Sequence, residues 1–239
     1  MQETTPSASH GAVYEELNRR WKKTCEILLG GEVGELTDFE DWLGELGEPV
    51  TYAKSGVSGK TIALSTPNYP KNAAFAGMDE VDFSKRFEPL NINEVKDMDS
   101  ILEAVQERLY FCGDVVLGNS KFVEKGTCVL DSFYVYGSHT CESSKGVAFS
   151  TLTRFSENIF GSYLIGYSNH CIRGPSIFNC ARCFEFWRCE TSSDCYFAYS
   201  LHGCSDCIFC FNQWGKRNCI GNLQLPREKY VALKRTLLD

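Results

Sequence analysis

The sequence predicts an α+β chain. A C-terminal parallel β-solenoid, with coils of 12 or 24 residues, follows an N-terminal helical and mixed region and is closed by a short C-terminal capping helix. Three observations predict it: a twelve-residue periodicity after residue 120, cysteines crowded into the same stretch, and helical spacing of apolar residues at both ends. The boundaries read as 1–112 for the acidic N-terminal region, 113–224 for the solenoid and 225–239 for the final helix.

Val13, Leu17, Trp21, Cys25 and Leu28 are spaced four or three apart, so they line one face of a helix. Gly30 and Gly31 stop it, because glycine takes the left-handed cap without a steric cost. A second, short helix is expected over 37–46, with Phe39, Trp42, Leu43 and Leu46 as its apolar side. Seven acids and no base lie from Glu32 to Glu48, which makes either a solvated face or a docking surface for a basic partner. Glycine and proline punctuate 50–91, with a strand at Thr61–Leu64. A third helix is expected from 97 or 99 to 110, burying Ile101, Leu102, Val105 and Leu109. At the far end Pro226 suits the first turn of a closing helix that carries Tyr230, Leu233 and Leu237.

The repeat carries most of the information. Every twelfth residue reads Val123, Val135, Val147, Ile159, Cys171, Cys183, Cys195, Cys207 and Cys219. Three residues earlier stand Ser120, Ser132, Ser144, Ser156, Ser168, Cys180, Ser192, Cys204 and Lys216. One residue after the first column come Phe160, Ile172, Phe184, Tyr196, Ile208 and Ile220; a further column holds Tyr163, Pro175, Trp187, Tyr199 and Phe211. Twelve residues are too few for a helix pair but suit short stacked strands, with columns repeating about every 4.8 Å. A coil of twelve is narrow, admits only small side chains and turns the aromatic columns outward, under the N-terminal region or another subunit. A coil of twenty-four encloses a wider core, and the many aromatics favour it, since an exposed aromatic ladder is a large apolar patch.

Composition excludes several classes. Asp and Glu number 31 against 24 Lys and Arg, a net charge of -7, which argues against nucleic acid as a partner. An apolar fraction of 43% with 23% charged residues suits a globular chain, and no run approaches the roughly 18 apolar residues of a membrane helix. Residues 1–10 are polar and lack the pattern of a secretory signal, so a cytoplasmic protein, or one assembled into a particle from a cytoplasm, is expected.

Eleven of the thirteen cysteines lie from Cys128 to Cys219, and a reducing cytoplasm makes them metal ligands or small buried side chains. Cys180-x-x-Cys183 and Cys204-x-x-Cys207, with twenty residues between them, have the spacing of a four-thiolate zinc site. The repeat generates the same spacing by itself. In twelve-residue coils the pairs stand about 9.6 Å apart, too far for one metal; coils of twenty-four would bring them together. No cofactor is therefore expected, with zinc as the alternative. Cys210 extends the run, but the Cys–Pro of an iron–sulfur loop is missing.

Other motifs are weaker. Gly56-Val-Ser-Gly59-Lys60-Thr61 has the ending of a phosphate loop, yet its first glycine would be Lys54. His139, His170 and His202 lie near Cys141, Cys171 and Cys204, but in different phases of the repeat. The column six residues from the first is only partly aliphatic, as an acyltransferase hexapeptide repeat would require, and the Thr-x-Thr rows of an ice-binding face are absent. Asp194 and Asp206, one period apart, have the separation of a glycosidase pair or form a turn ladder.

The segments Ser192-Ser-Asp-Cys-Tyr-Phe, Cys204-Ser-Asp-Cys-Ile-Phe-Cys-Phe-Asn and Asn218-Cys-Ile-Gly-Asn, followed by Leu225-Pro-Arg-Glu-Lys-Tyr, carry a resemblance. From about Leu117 onward the chain resembles uncharacterised cysteine-rich repeat proteins encoded by uncultivated microbes and by large viruses or phages. The resemblance implies a solenoid and no activity, catalytic residue or cofactor. The expected function is that of a non-catalytic structural or interaction protein, with a protein partner or a homo-oligomer, in a larger assembly such as a virion. The alternatives are a zinc module on Cys180, Cys183, Cys204 and Cys207, and a β-helix enzyme of the acyltransferase or carbohydrate-active kind.

Overall fold

In the computed structural model the described residues are 11–106, 109–166, 169–178 and 181–238, with backbone alone at 94, 106, 169–171, 175–178, 181–183 and 187–190. Residues 116–220 form a parallel β-solenoid whose coil is twelve residues long. One run of parallel pairs joins Val123 to Val135, Val147, Ile159, Cys171 and Cys183, and Cys195 to Cys207 and Cys219. A second, six residues out of phase, joins Val129 to Cys141, Thr153, Ile165, Ile177, Cys189, Leu201 and Gln213. The twenty-four-residue coil that the aromatic content favoured is thus incorrect. Nearly all the described rings lie outside the bore, and the helices at the two ends of the chain cover many of them.

The coil closes because the chain turns at every third residue. Wherever the side chain is described, every third residue from Phe122 to Gly221 has φ between 47° and 72°. Four such corners complete twelve residues. Most of these corners are not glycine, and a left-handed residue costs about 1–2 kcal/mol. Ladder hydrogen bonds and burial of the inward residues offset that cost.

The residue after each corner points inward, into a bore of Val129, Val135, Val147, Ile159, Cys195, Cys207 and Cys219 on one pair of sides and mostly Ser on the other. Serine is there for a reason of pairing. Ser132, Ser144 and Ser156 each donate Oγ–H to the carbonyl two residues back, at 2.7–2.9 Å. The Oγ of Ser120, Ser132 and Ser144 in turn accepts the N–H of the serine one coil up, at 3.0–3.3 Å. Ser138 and Ser150 repeat the device across the bore. A buried N–H left without this acceptor would be costly. One ring enters the bore: Phe186, fully buried, stacks in register with Ala198 and lies against Gly174.

Helices cover one flank from end to end. Helix α1 (Ala12–Leu29) buries Val13, Leu17, Trp21, Cys25 and Leu28, and ends on Gly30 at φ 84°. After a 3-10 turn, α2 (Glu40–Gly44) buries Leu43, so the second helix is shorter than the spacing predicts. Together they cover Tyr136, Ala148, Phe160 and Ile172, with Trp21 edge-on to Phe160 at 5.4 Å. Gly161 permits this approach, since a Cβ there would sit 2.5 Å from Leu43 Cδ2. Arg20 donates to Asn158 Oδ1 at 2.9 Å, and Arg173 joins Glu45 at 2.6 Å beneath Trp42.

The same column continues under the C-terminal helix. The element from Arg227 to Leu238 lays Tyr230 on Tyr196 and Ile208, with Leu238 alongside. Leu233 and Leu237 are 40% and 54% exposed, because Tyr230, Lys234 and Leu238 define the face that meets the solenoid. A hairpin at Gly221 and Asn222 closes the last coil, and the Asn222 side chain pairs with both backbone groups of Phe211.

Between these parts, strands β1 (Thr51–Lys54) and β2 (Thr61–Leu64) pair antiparallel, and β3 (Phe75–Gly77) pairs parallel with β4 (Phe111–Gly113). The third helix, α3 (Met98–Gln106), exists but does not bury the residues assigned to it. Leu102 is 56% exposed and Leu109, beyond the helix, 57% exposed, while Ile101 and Val105 are half-buried. The closing helix is α4 (Arg227–Leu238).

Candidate functional site

Among the described residues Cys141, Cys195, Cys204, Cys207, Cys210 and Cys219 line the bore. Cys195, Cys207 and Cys219 occupy successive rungs of one column, and Cys204 and Cys210 stand where serines stand lower down. Their thiols copy the serine bonds: Cys204 Sγ reaches the carbonyl of His202 at 3.5 Å, Cys210 Sγ that of Ile208 at 3.3 Å, and Cys210 Sγ accepts the Asn222 N–H at 3.4 Å. Hydrogen bonding to Cys195 pushes the Cys207 thiol up, and burial pushes Cys141 up to about 12.

Of the four sequence-predicted zinc ligands, Cys204 and Cys207 are buried, Cys183 is described by backbone only, and Cys180 lies outside the described residues. The register sets Cys183 and Cys207 two coils apart, about 9.6 Å. The condition that would gather both pairs around one ion, a coil of twenty-four residues, is not met. Among the described residues no group of three or more Cys, His, Asp or Glu is arranged to hold a metal.

The other motifs also resolve. Lys60 of the glycine-rich turn is tied to Asp79 at 2.5 Å, and Ser55 to Glu80 at 2.6 Å, so the turn closes on its own acids. His139 faces outward while Cys141 is sealed inside. Asp194 and Asp206 occupy left-handed corners, at φ 48° and 53°, in a column shared with Asn158 and Asn218. That conformation suits Asn and Asp and supports the turn ladder.

Two surface features remain, and the Tyr199 and Phe211 column of the first is visible in the sequence. The first is an aromatic strip on the upper coils. Phe197 and Phe209 stack at 4.9 Å, His202 and Trp214 at 4.2 Å, and Tyr199 pairs in register with Phe211. Tyr199, Phe209, Phe211 and Trp214 are between 55% and 72% exposed. Lower in the same flank the loop after α2 covers the solenoid: the Glu48 carbonyl accepts from His139 Nε2 and Thr151 Oγ1, both at 3.0 Å.

The second feature is a cleft of about 490 Å³ between α2, β1 and the solenoid. Tyr52, Tyr136 and Phe149 form its walls, and Gly137 leaves a notch in its floor. Lys125 Nζ donates to Tyr136 Oη at 2.6 Å. That bond, with Glu40 nearby, raises the lysine above its usual value. Glu40, Asp41 and Glu48 edge the cleft.

The fold defines a β-solenoid protein with helical flanking elements. Against protein-family models, curated proteins and solved structures the chain finds no match. Among the described residues no helix is long and apolar enough to cross a membrane.

Proposed function

We infer that this chain is a non-catalytic structural protein that works by packing its solenoid flank against another chain within a larger assembly. One observation carries this reading. The flank that carries the strip is covered on the lower coils by the chain's own loop after α2, while on the upper coils the aromatic strip is bare. Contiguous exposed aromatics of this kind mark interaction surfaces.

The partner favoured is a second copy, because the same chain carries a second uncovered apolar element. Helix α3, with Met98 and Leu102 exposed, has the amphipathic form that lies in a groove or on a strip. Reciprocal packing of α3 on the strip gives a closed, two-fold dimer.

Sedimentation velocity on the wild type and on a Tyr199→Ser/Phe211→Ser/Trp214→Ser variant tests it. A wild-type dimer that the variant converts to a folded monomer is expected. A wild type that stays monomeric to about 100 µM, a concentration at which most specific dimers form, contradicts it.

A further inference from the structure

The cleft beside α2 holds more charge than the fold requires. Elsewhere in the acidic segment, Glu35 is taken up by Lys22 and Glu45 by Arg173. Glu40, Asp41 and Glu48 make no ion pair among the described residues and stand on the rim of the opening. The same cleft holds one cation, Lys125, fixed by the Tyr136 hydroxyl and keeping two further N–H donors for the cleft, with Glu40 near it. Tyr52 and Phe149 supply apolar walls beside these charges. A void of this volume, with aromatic walls and a few convergent polar groups, has the form of a small-molecule site.

We propose that this cleft binds a zwitterion of the amino-acid class. Its carboxylate accepts from Lys125, its ammonium lies among Glu40, Asp41 and Glu48, and its side chain rests on Tyr52 and Phe149. A simple amine leaves Lys125 facing a like charge, and a simple carboxylate meets three acids. Only a ligand bearing both groups complements both signs of charge. This site is separate from the aromatic strip, so the dimer and the ligand are independent claims.

The test is ligand-detected NMR with each of the proteinogenic amino acids, beside n-butylamine and butyrate as single-charge controls, at up to about 10 mM, above the millimolar limit of weak specific binding. At least one amino acid should bind. It should weaken roughly tenfold or more in Lys125→Met and in a Glu40→Gln/Glu48→Gln variant, as expected for losing a charge-assisted contact. These side chains are on the surface, so melting curves matching the wild type would show that the variants are folded. No binding by any amino acid overturns the proposal. So does equal binding by n-butylamine or butyrate, or an affinity that Lys125→Met leaves unchanged.

Discussion

Inside the bore, a single hydroxyl does the work of a strand neighbour. Ser144 Oγ donates to the Glu142 carbonyl at 2.9 Å and accepts the Ser156 N–H at 3.3 Å, both out of reach of water. Ser144→Ala should therefore cost about 1–3 kcal/mol in urea unfolding, the penalty of an orphaned buried donor. Cys204→Ser should stay within about 1 kcal/mol of the wild type, since serine occupies this position in lower coils and Ser192 already serves Cys204 in the same way. A large loss in Cys204→Ser would give the thiol a role beyond filling and pairing. Two of the inward columns could be read from the sequence, because Ser or Cys fills eight of nine positions in one and Val, Ile or Cys all nine in the other. Beyond the column of Asn158, Asp194, Asp206 and Asn218, the left-handed corners could not. They carry Phe, Leu, Lys, Arg and Thr as often as Gly or Asn, because stacking rather than local preference holds them. The inward column of Gly126, Ser138, Ser150, Gly174, Phe186 and Ala198 was missed for a related reason: its residue type changes from coil to coil.

Among the elements, α1 was legible because its face is complete within its own sequence, whereas α3 and α4 show the limit of periodicity. An amphipathic pattern says that an apolar face exists, not which neighbour covers it. Tyr230 anchors α4 yet its hydroxyl is buried without a partner among the described residues. Tyr230→Phe should raise stability by up to about 1 kcal/mol in thermal or urea unfolding, since it removes an unsatisfied polar atom and keeps the ring. A drop of that size would mean that the hydroxyl is bonded. The loop after α2 is held by His139, whose Nε2–H donates to the Glu48 carbonyl while Nδ1 accepts from Thr140. Burial lowers its pKa below the ordinary histidine value, so the unfolded chain takes up the proton more readily. The stability this contributes is complete above the unfolded value of about 6.5 and is lost as the pH falls toward and through the lowered folded value. Denaturant midpoints measured from pH 7.5 down to about 5 should fall for the wild type and fall less for His139→Gln. Parallel curves would remove His139 as the origin.

At the scale of the whole molecule, a narrow coil puts the apolar rings outside, so the solenoid is completed by whatever packs on its flanks. The chain supplies α1, α2 and α4 for one flank and the loop after α2 for the lower part of the next. The aromatic strip of Tyr199, Phe209, Phe211 and Trp214 is left over. The sequence showed the period, and with it the architecture, but a count of aromatics could not say which side of the wall they stand on. The most direct measurement is native mass spectrometry of protein purified without reductant or chelator. The predicted spectrum is a dimer at twice the 26.9 kDa chain mass, with thirteen free thiols per chain and no bound metal. A monomer carrying one or more zinc ions would contradict the account, and would return the cysteines from the bore to the centre of the function.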